Sequence, residues 1–276
     1  MSVCVACVQF EPKLNQYKEN IRRMCEMIDR AMTDHPKTQL IVFPELSTTG
    51  YECGERFREF AEALDDPHAP GLSEIGAAAK KNGVYVAYGM AERAASEEGV
   101  LYNSGVLLNS DGKVAGVYRK AQLFDTEKKW FKPGTEYPVF DTPFGKIGMF
   151  ICFDAFFPEI ARIEALRGAD LFVVSTNWEK PYEYDFDMAM SARAMDNVTY
   201  LAAANRVGTE STLGFFDHSR ILDPLGRPLA AAEGEREQIV YAELDYKIPR
   251  ELKQSYYTFF QDRQPKTYDE ICKYDT

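Results

Sequence analysis

Three residues of different chemistry stand at the ends of apolar runs in this chain. Glu45 follows "LIVFP", Lys120 follows "VAGVYR" and Cys152 follows "IGMFI". A thiol becomes a nucleophile only with help from a base or a lowered pKa. Glu45 can act as that base and Lys120 can supply a positive field, so no histidine is needed. Taken singly, each residue has a plainer reading. Glu45 and Lys120 can form a structural ion pair, and Cys152 can be a core thiol. Their shared position at strand C-termini favours chemistry, because side chains there reach the crevice above a sheet where α/β proteins bind ligands.

The rest of the sequence narrows the alternatives. It holds no glycine-rich phosphate loop of the Walker type, no spaced-glycine dinucleotide fingerprint and no Gly-x-Ser-x-Gly elbow. Its three histidines, His35, His68 and His218, are far apart and form no metal-spaced pair. Neither a metal nor a cofactor is expected. With 32 Lys+Arg against 43 Asp+Glu, the formal charge is −11. Such a chain, lacking a basic cluster, is poorly suited to nucleic acid or an anionic membrane. No apolar run is long enough to span a bilayer. The opening "MSVCVACVQFEPK" lacks a basic segment and a cleavage site, so a cytoplasmic, reducing location with free thiols is expected. Cys4 and Cys7 have a metal-like spacing, but on a strand they point to opposite faces. Cys25 joins a helical stripe with Ile21, Met24 and Ile28, whereas Cys53 and Cys272 sit in loop-like or terminal sequence.

The elements that must position the three residues come in a doubled order. "VCVACVQF" reads as a strand, residues 15–32 as a helix, and "TQLIVF" as a strand ending at Pro44-Glu45. "SEIGAAAKKNG" is a helix closed by Asn82-Gly83, and "VYVAYGMAE" is the next strand. A hairpin then turns at Asp111-Gly112. From "KIGMFIC" onward, helix "PEIARIEALRG", strand "ADLFVVSTNW", helix "DMAMSARAMDN", strand "TYLAAANRVG" and a hairpin turning at Asp223–Gly226 follow in the same sequence. Two similar halves packed sheet on sheet make a four-layer α-β-β-α sandwich. Residues 1–248 form that domain. Residues 249–276, "SYYTFFQDRQPKTYDEICKYDT" among them, form an aromatic extension that packs on its own surface or a partner's. Pro158 suits a first helical position, which places a helix N-terminus near Cys152 and would favour its thiolate.

At this point three segments carry a resemblance. "FPE" with Glu45, "YRKAQLF" with Lys120 and "CFDAFFPE" with Cys152 resemble, in order and separation, the three signatures of the nitrilase superfamily of carbon–nitrogen hydrolases. The resemblance runs from the first strand to about Tyr246. With "ANRVG" and "DHSRILDPLG", it is most similar to a branch of small microbial amidases and nitrilases. It implies the α-β-β-α sandwich and a homodimer or higher homo-oligomer. It also implies Cys152 as nucleophile, Glu45 as general base and acid, Lys120 as oxyanion stabiliser, and Glu127 as a second glutamate that helps position the substrate. Loops after the strands would build the pocket, from Tyr51, Phe153, Asn177 and Trp178. The implied substrate is a small primary amide, hydrolysed to acid and ammonia through a thioester. A nitrile or an N-carbamoyl amine is the alternative. For an N-carbamoyl amino acid, Arg193 or Arg206 would have to meet the carboxylate. A cysteine hydrolase with His218 as base is a rival from outside this pattern.

Overall fold

The computed structural model describes residues 2–66 and 68–273. Its first half runs β1 (Ser2–Gln9), α1 (Tyr17–Asp34), β2 (Thr38–Val42), a single turn α2 (Phe57–Phe60), α3 (Pro70–Asn82), β3 (Tyr85–Arg93), β4 (Leu101–Leu108) and β5 (Val114–Arg119). The second runs β6 (Val139–Thr142), β7 (Gly145–Ile151), α4 (Pro158–Leu166), β8 (Leu171–Thr176), α5 (Glu183–Asn197) and β9 (Tyr200–Asn205). A short ribbon, β10 (Gly208–Thr209) and β11 (Gly214–Phe215), precedes β12 (Arg220–Leu222) and β13 (Pro228–Ala231). Then come β14 (Gln238–Asp245) and α6 (Lys247–Gln254).

Each half builds a six-stranded mixed sheet, ordered β14-β1-β2-β3-β4-β5 and β13-β12-β9-β8-β7-β6. The two orders are the same. Three parallel strands (β1-β2-β3, β7-β8-β9) continue into an antiparallel pair, and one antiparallel strand closes the other edge. The closing strand is β6 in the second sheet, just before β7, but β14 in the first. Alternation along β1 shows how the layers stack. Val3, Val5 and Cys7 enter the cluster shared with the second sheet, and Ala6 and Val8 enter the one shared with α1 and α3. The sandwich read from the doubled order is therefore the observed fold, and the odd and even cysteines of β1 take opposite faces.

Three helix starts differ from the sequence reading, and α5 is one of them, beginning at Glu183, four residues before Asp187. Helix α1 begins at Tyr17, not residue 15, because Asn15 is left-handed with φ +61°. Helix α3 begins one turn early, at Pro70, where the proline needs no donor partner. Its orphan Gly71 and Leu72 N–H groups bond the Glu62 carboxylate, at 2.6 and 3.1 Å, a cap supplied from outside the helix. Gly83 ends α3 left-handed at φ +64°, as its position predicts.

Helix α6 runs across the expected 248/249 division. The chain beyond it folds back so that Phe260 lies under Arg162 and Lys253, each 5.0 Å from its ring. Tyr256 and Ile271 remain exposed. Among the described residues no helix is long and apolar enough to cross a membrane.

Candidate active site

Residue 45 is placed by a backbone contact rather than by a side chain. Pro44 O accepts from Gly89 N–H at 3.0 Å and Gly89 O from Ser47 N–H at 2.9 Å, so the turn after β2 lies flat on β3. A Cβ at residue 89 would sit 2.5 Å from Glu45 Cα, so only glycine fits. Glu45 is fully buried there. Its Oε1 accepts from Asn103 Nδ2 at 2.6 Å and Lys120 Nζ at 2.7 Å, and its Oε2 from Asn177 N–H at 3.0 Å. Lys120, also fully buried, is 2.7 Å from Glu127 Oε1 as well. Tyr51 Oη donates to the same Glu127 oxygen at 2.7 Å, while Phe124 N–H reaches Oε2 at 3.2 Å.

This buried group holds two carboxylates against one ammonium. Burial, and then the Glu127 charge, drive the Glu45 pKa above the ordinary carboxylate range, with Lys120 pulling the other way. Burial works against the Lys120 ammonium, but Glu127 and Glu45 outweigh it and hold the lysine pKa well above its usual value. Lys120 is thus a fixed positive charge, and Glu45 a carboxylate that accepts a proton more readily than an exposed one.

Cys152 follows β7 at a sharp corner, with φ +47°, and opens a short 3-10 turn (Cys152–Phe156). Non-glycine residues in this region are strained and gather at functional sites. Helix α4 begins only at Pro158, so the thiol does not lie on its N-terminus. Burial and the nearby Glu45 charge raise the Cys152 pKa well above the ordinary thiol value, opposed by Lys120. The expectation that a helix end favours the resting thiolate is therefore corrected: Cys152 is a thiol until a base removes its proton.

The corner is tied to the lysine by a residue whose role the sequence did not disclose. Asp154 accepts from Ile151 N–H at 3.0 Å and Tyr118 Oη at 2.8 Å on one oxygen, and from Gln122 N–H at 2.8 Å on the other. Tyr118 and Gln122 flank Lys120, and Ile151 precedes Cys152. One buried carboxyl group thus fixes the end of β5 against the end of β7. Burial pushes its pKa up to about 7, against Lys120 and these hydrogen bonds. The only sequence signal was an aspartate two places after the cysteine.

A cavity of about 380 Å³ opens on Cys152 and is lined by Tyr51, Phe124, Phe153, Phe156, Asn177 and Trp178, among others. All four residues expected to build the pocket lie on it. Arg206 and Arg193 do not. Arg206 is buried with Glu210, bonds Pro12 O at 3.1 Å and stacks 4.1 Å from the Phe215 ring centre. Glu210 in turn accepts from the N–H groups of Tyr51 and Glu52, so this pair anchors the Tyr51 loop. Arg193 bonds Ala155 O at 2.9 Å and pairs with Asp196 at 3.1 Å. His218 pairs with Asp187 at 3.0 Å and is absent from the cavity lining, leaving it no place as the base.

The family model for carbon-nitrogen hydrolase matches residues 4–254. The chain belongs to the carbon–nitrogen hydrolase family. It is a hydrolase of the nitrilase superfamily, and the fold is that superfamily's sandwich. A probable nitrilase of Schizosaccharomyces pombe is 44% identical over 98% of this chain and 99% of its own length. An omega-amidase of Homo sapiens is 31% identical, over 89% and 90% respectively. The crystal structure of a carbon–nitrogen hydrolase from Helicobacter pylori superposes with a TM-score of 0.91 at 28% identity, covering 99% of both chains. Within this hydrolase, Asn103 and Gly89 are among the site residues that sequence reasoning passed over, as are the lining residues Phe124, Phe156, Glu179 and Asp185. Asn103 looks like any residue of strand β4. Gly89 carried one usable signal, a glycine in the middle of an apolar strand.

Proposed function

We propose that the enzyme hydrolyses a small primary amide to a carboxylic acid and ammonia, with Cys152 as nucleophile, Glu45 as general base and acid, and Lys120 as oxyanion stabiliser. What carries the reading is the buried Lys120 bonded at 2.7 Å to both Glu45 and Glu127, electrostatically coupled to a thiol that lines a cavity.

Glu45 takes the Cys152 proton as sulfur attacks the carbonyl carbon. The resulting oxyanion is met by the Lys120 ammonium and the Phe153 N–H, preorganised donors of the kind worth about 3–4 kcal/mol each. The carbon–nitrogen bond breaks as the proton passes from Glu45 to the nitrogen, and ammonia leaves. A water gives a proton to Glu45 and adds to the thioester. The carbon–sulfur bond then breaks, and the proton returns to Cys152. The raised Glu45 pKa suits a group that takes and gives a proton twice per turnover. Glu127 holds Lys120 and the Tyr51 hydroxyl and so sets one wall of the substrate site.

A nitrile is the second reading, favoured by the relative named a probable nitrilase. Thiolate addition to the nitrile carbon, with a proton to nitrogen, gives a thioimidate. Water then adds and ammonia departs, leaving the same thioester. Ammonia release from matched amides, nitriles and carbamoyl amines, with intact-mass trapping of the acyl enzyme, separates these readings. Ammonia from none of them, or undiminished release by Cys152→Ala, would overturn the proposal.

We place the enzyme in the cytoplasm, in keeping with six unpaired cysteines. We take residues 1–248 as the catalytic domain and the remainder as a contact segment. A homodimer is supported by apolar side chains that α5 leaves exposed, Met188 at 52% and Met195 at 47%. Sedimentation of wild type against Met188→Lys tests it, with a dissociated variant expected.

A further inference from the structure

The cavity beside Cys152 has an aromatic body and an acidic mouth. Phe124 is tilted against Phe153 with ring centres 5.1 Å apart, and Phe156 against Trp178 at 4.9 Å. Among the described residues, the charged side chains lining it are Glu179 and Asp185, and no Lys, Arg or His does so. Four basic residues of the second half are engaged elsewhere. Lys180 pairs with Glu235, Arg193 with Asp196, Arg206 with Glu210 and Arg220 with Asp187.

Glu179 is half-buried, and among the described residues its carboxylate has neither an ion pair nor a hydrogen bond. Its backbone is held in place by a bridge to Phe215. Burial, with the Asp125 and Glu52 charges, raises its pKa. Among the described residues neither Glu179 nor Asp185, the two acids of this mouth, has an ion pair.

A second, independent feature of the cavity also lacks a partner. Asn177 is 4% exposed and lines the same space, yet among the described residues neither its Oδ1 nor its Nδ2 has a hydrogen-bond partner. A buried amide left this way costs stability unless something binds it. Its backbone N–H already holds Glu45, so the side chain stands next to the reacting groups.

We propose that the preferred substrate is a primary amide or nitrile with a flat apolar body and a protonated amine at its far end, paired with Glu179, while Asn177 bonds a polar group of the same molecule. Substrates bearing a carboxylate at that end are rejected. The inference rests on the amide- or nitrile-hydrolase reading and adds the charge of the substrate. The Phe and Trp walls take the apolar body, and a substrate ammonium relieves the repulsion among Glu179, Asp125 and Glu52. Glu179 is in this account a specificity residue, remote from the bond that breaks.

The test compares kcat/KM, by ammonia release, for three amides on one scaffold: 3-phenylpropanamide and its para-aminomethyl and para-carboxy derivatives, the two charged compounds being matched in length. Wild type is expected to prefer the aminomethyl over the carboxy compound by about 100-fold. In Glu179→Gln the aminomethyl-to-neutral ratio falls on the order of tenfold, mostly through KM, as loss of a charge-assisted contact predicts. Glu179→Lys reverses the order of the two charged compounds. Asp185→Asn, on the exposed side of the mouth, gives a smaller change in the same direction. Equal rates on all three amides, or ratios unmoved by Glu179→Gln, overturn the inference while leaving amide hydrolysis intact. If wild type releases no more ammonia from any of them, or from the matching nitriles, than Cys152→Ala does, the parent reading fails and this one with it.

Discussion

Strands β2 and β8 hold equivalent places in the two sheets, yet they end in different chemistry. β2 leads through Pro44 into Glu45, a buried carboxylate, and β8 leads into Asn177, a neutral amide. Strands β1 and β7 differ as well. β1 runs on without a corner to Phe10, which bridges to Arg206, whereas β7 stops at the left-handed Cys152. The first half therefore contributes the charges, Glu45, Lys120 and Glu127, and the second contributes the thiol. One scaffold made twice lets opposed strand ends converge while each end carries a different residue. The second half adds a third buried carboxyl near the same lysine, Asp154, whose oxygens are met by the Ile151, Gln122 and Tyr118 donors.

The largest test of this division is on the second half. Cys152→Ala should lower ammonia release about 10⁴-fold or more, with no acyl enzyme visible by intact mass. Residual turnover near wild type would mean that the corner after β7 is not where the chemistry happens. On the first half, Glu45→Gln keeps the shape and loses the base, and a fall of about 10²–10⁴-fold in kcat is expected. The pH profile sharpens the same point. A base must be unprotonated, so activity is lost as pH falls through its pKa. Because burial raises that pKa, the acid limb of kcat/KM should lie above 4.5, and it should vanish in Glu45→Gln. A limb at or below that value would mean Glu45 is not the titrating group.

Gly89→Ala asks whether charge placement in the first half depends on one close backbone contact. It should cost about 1–3 kcal/mol of stability through overpacking and lower kcat on the order of tenfold by moving Glu45. Normal melting with normal kcat would show that the turn after β2 has slack. The smallest effect is expected from Tyr51→Phe, which removes one hydrogen bond to Glu127, worth about 1 kcal/mol. KM should rise a few-fold with kcat nearly unmoved. A larger drop in kcat than in 1/KM would make Tyr51 part of the acid–base machinery.

Much of the fold was legible because hydrophobic runs, Asp111-Gly112 and Asn82-Gly83 mark strands and ends locally, and because the order of elements repeats. Glu45, Lys120 and Cys152 stood out because each breaks an apolar run at its end. What stayed hidden depends on distance in space. Asn103 lies inside β4 and meets Glu45 only once two strands are paired. Asp154 bonds groups on both sides of Lys120. The N-terminus of α3 is capped by Glu62, outside the helix. The thiolate expectation failed for a related reason. A proline and a helix pattern are visible in sequence, but the depth of burial that raises the Cys152 pKa is not.

Strand β14 pairs with β1 along its whole length, Ser2 opposite Asp245 and Gln9 opposite Gln238. On a ribosome, β1 is made long before β14 exists. The second sheet, whose closing strand β6 directly precedes β7, can be finished while one edge of the first still stands open. Synthesis thus begins the half that carries the charges first and completes it last, so the acid–base residues gain a closed sheet only after the thiol's half has been translated.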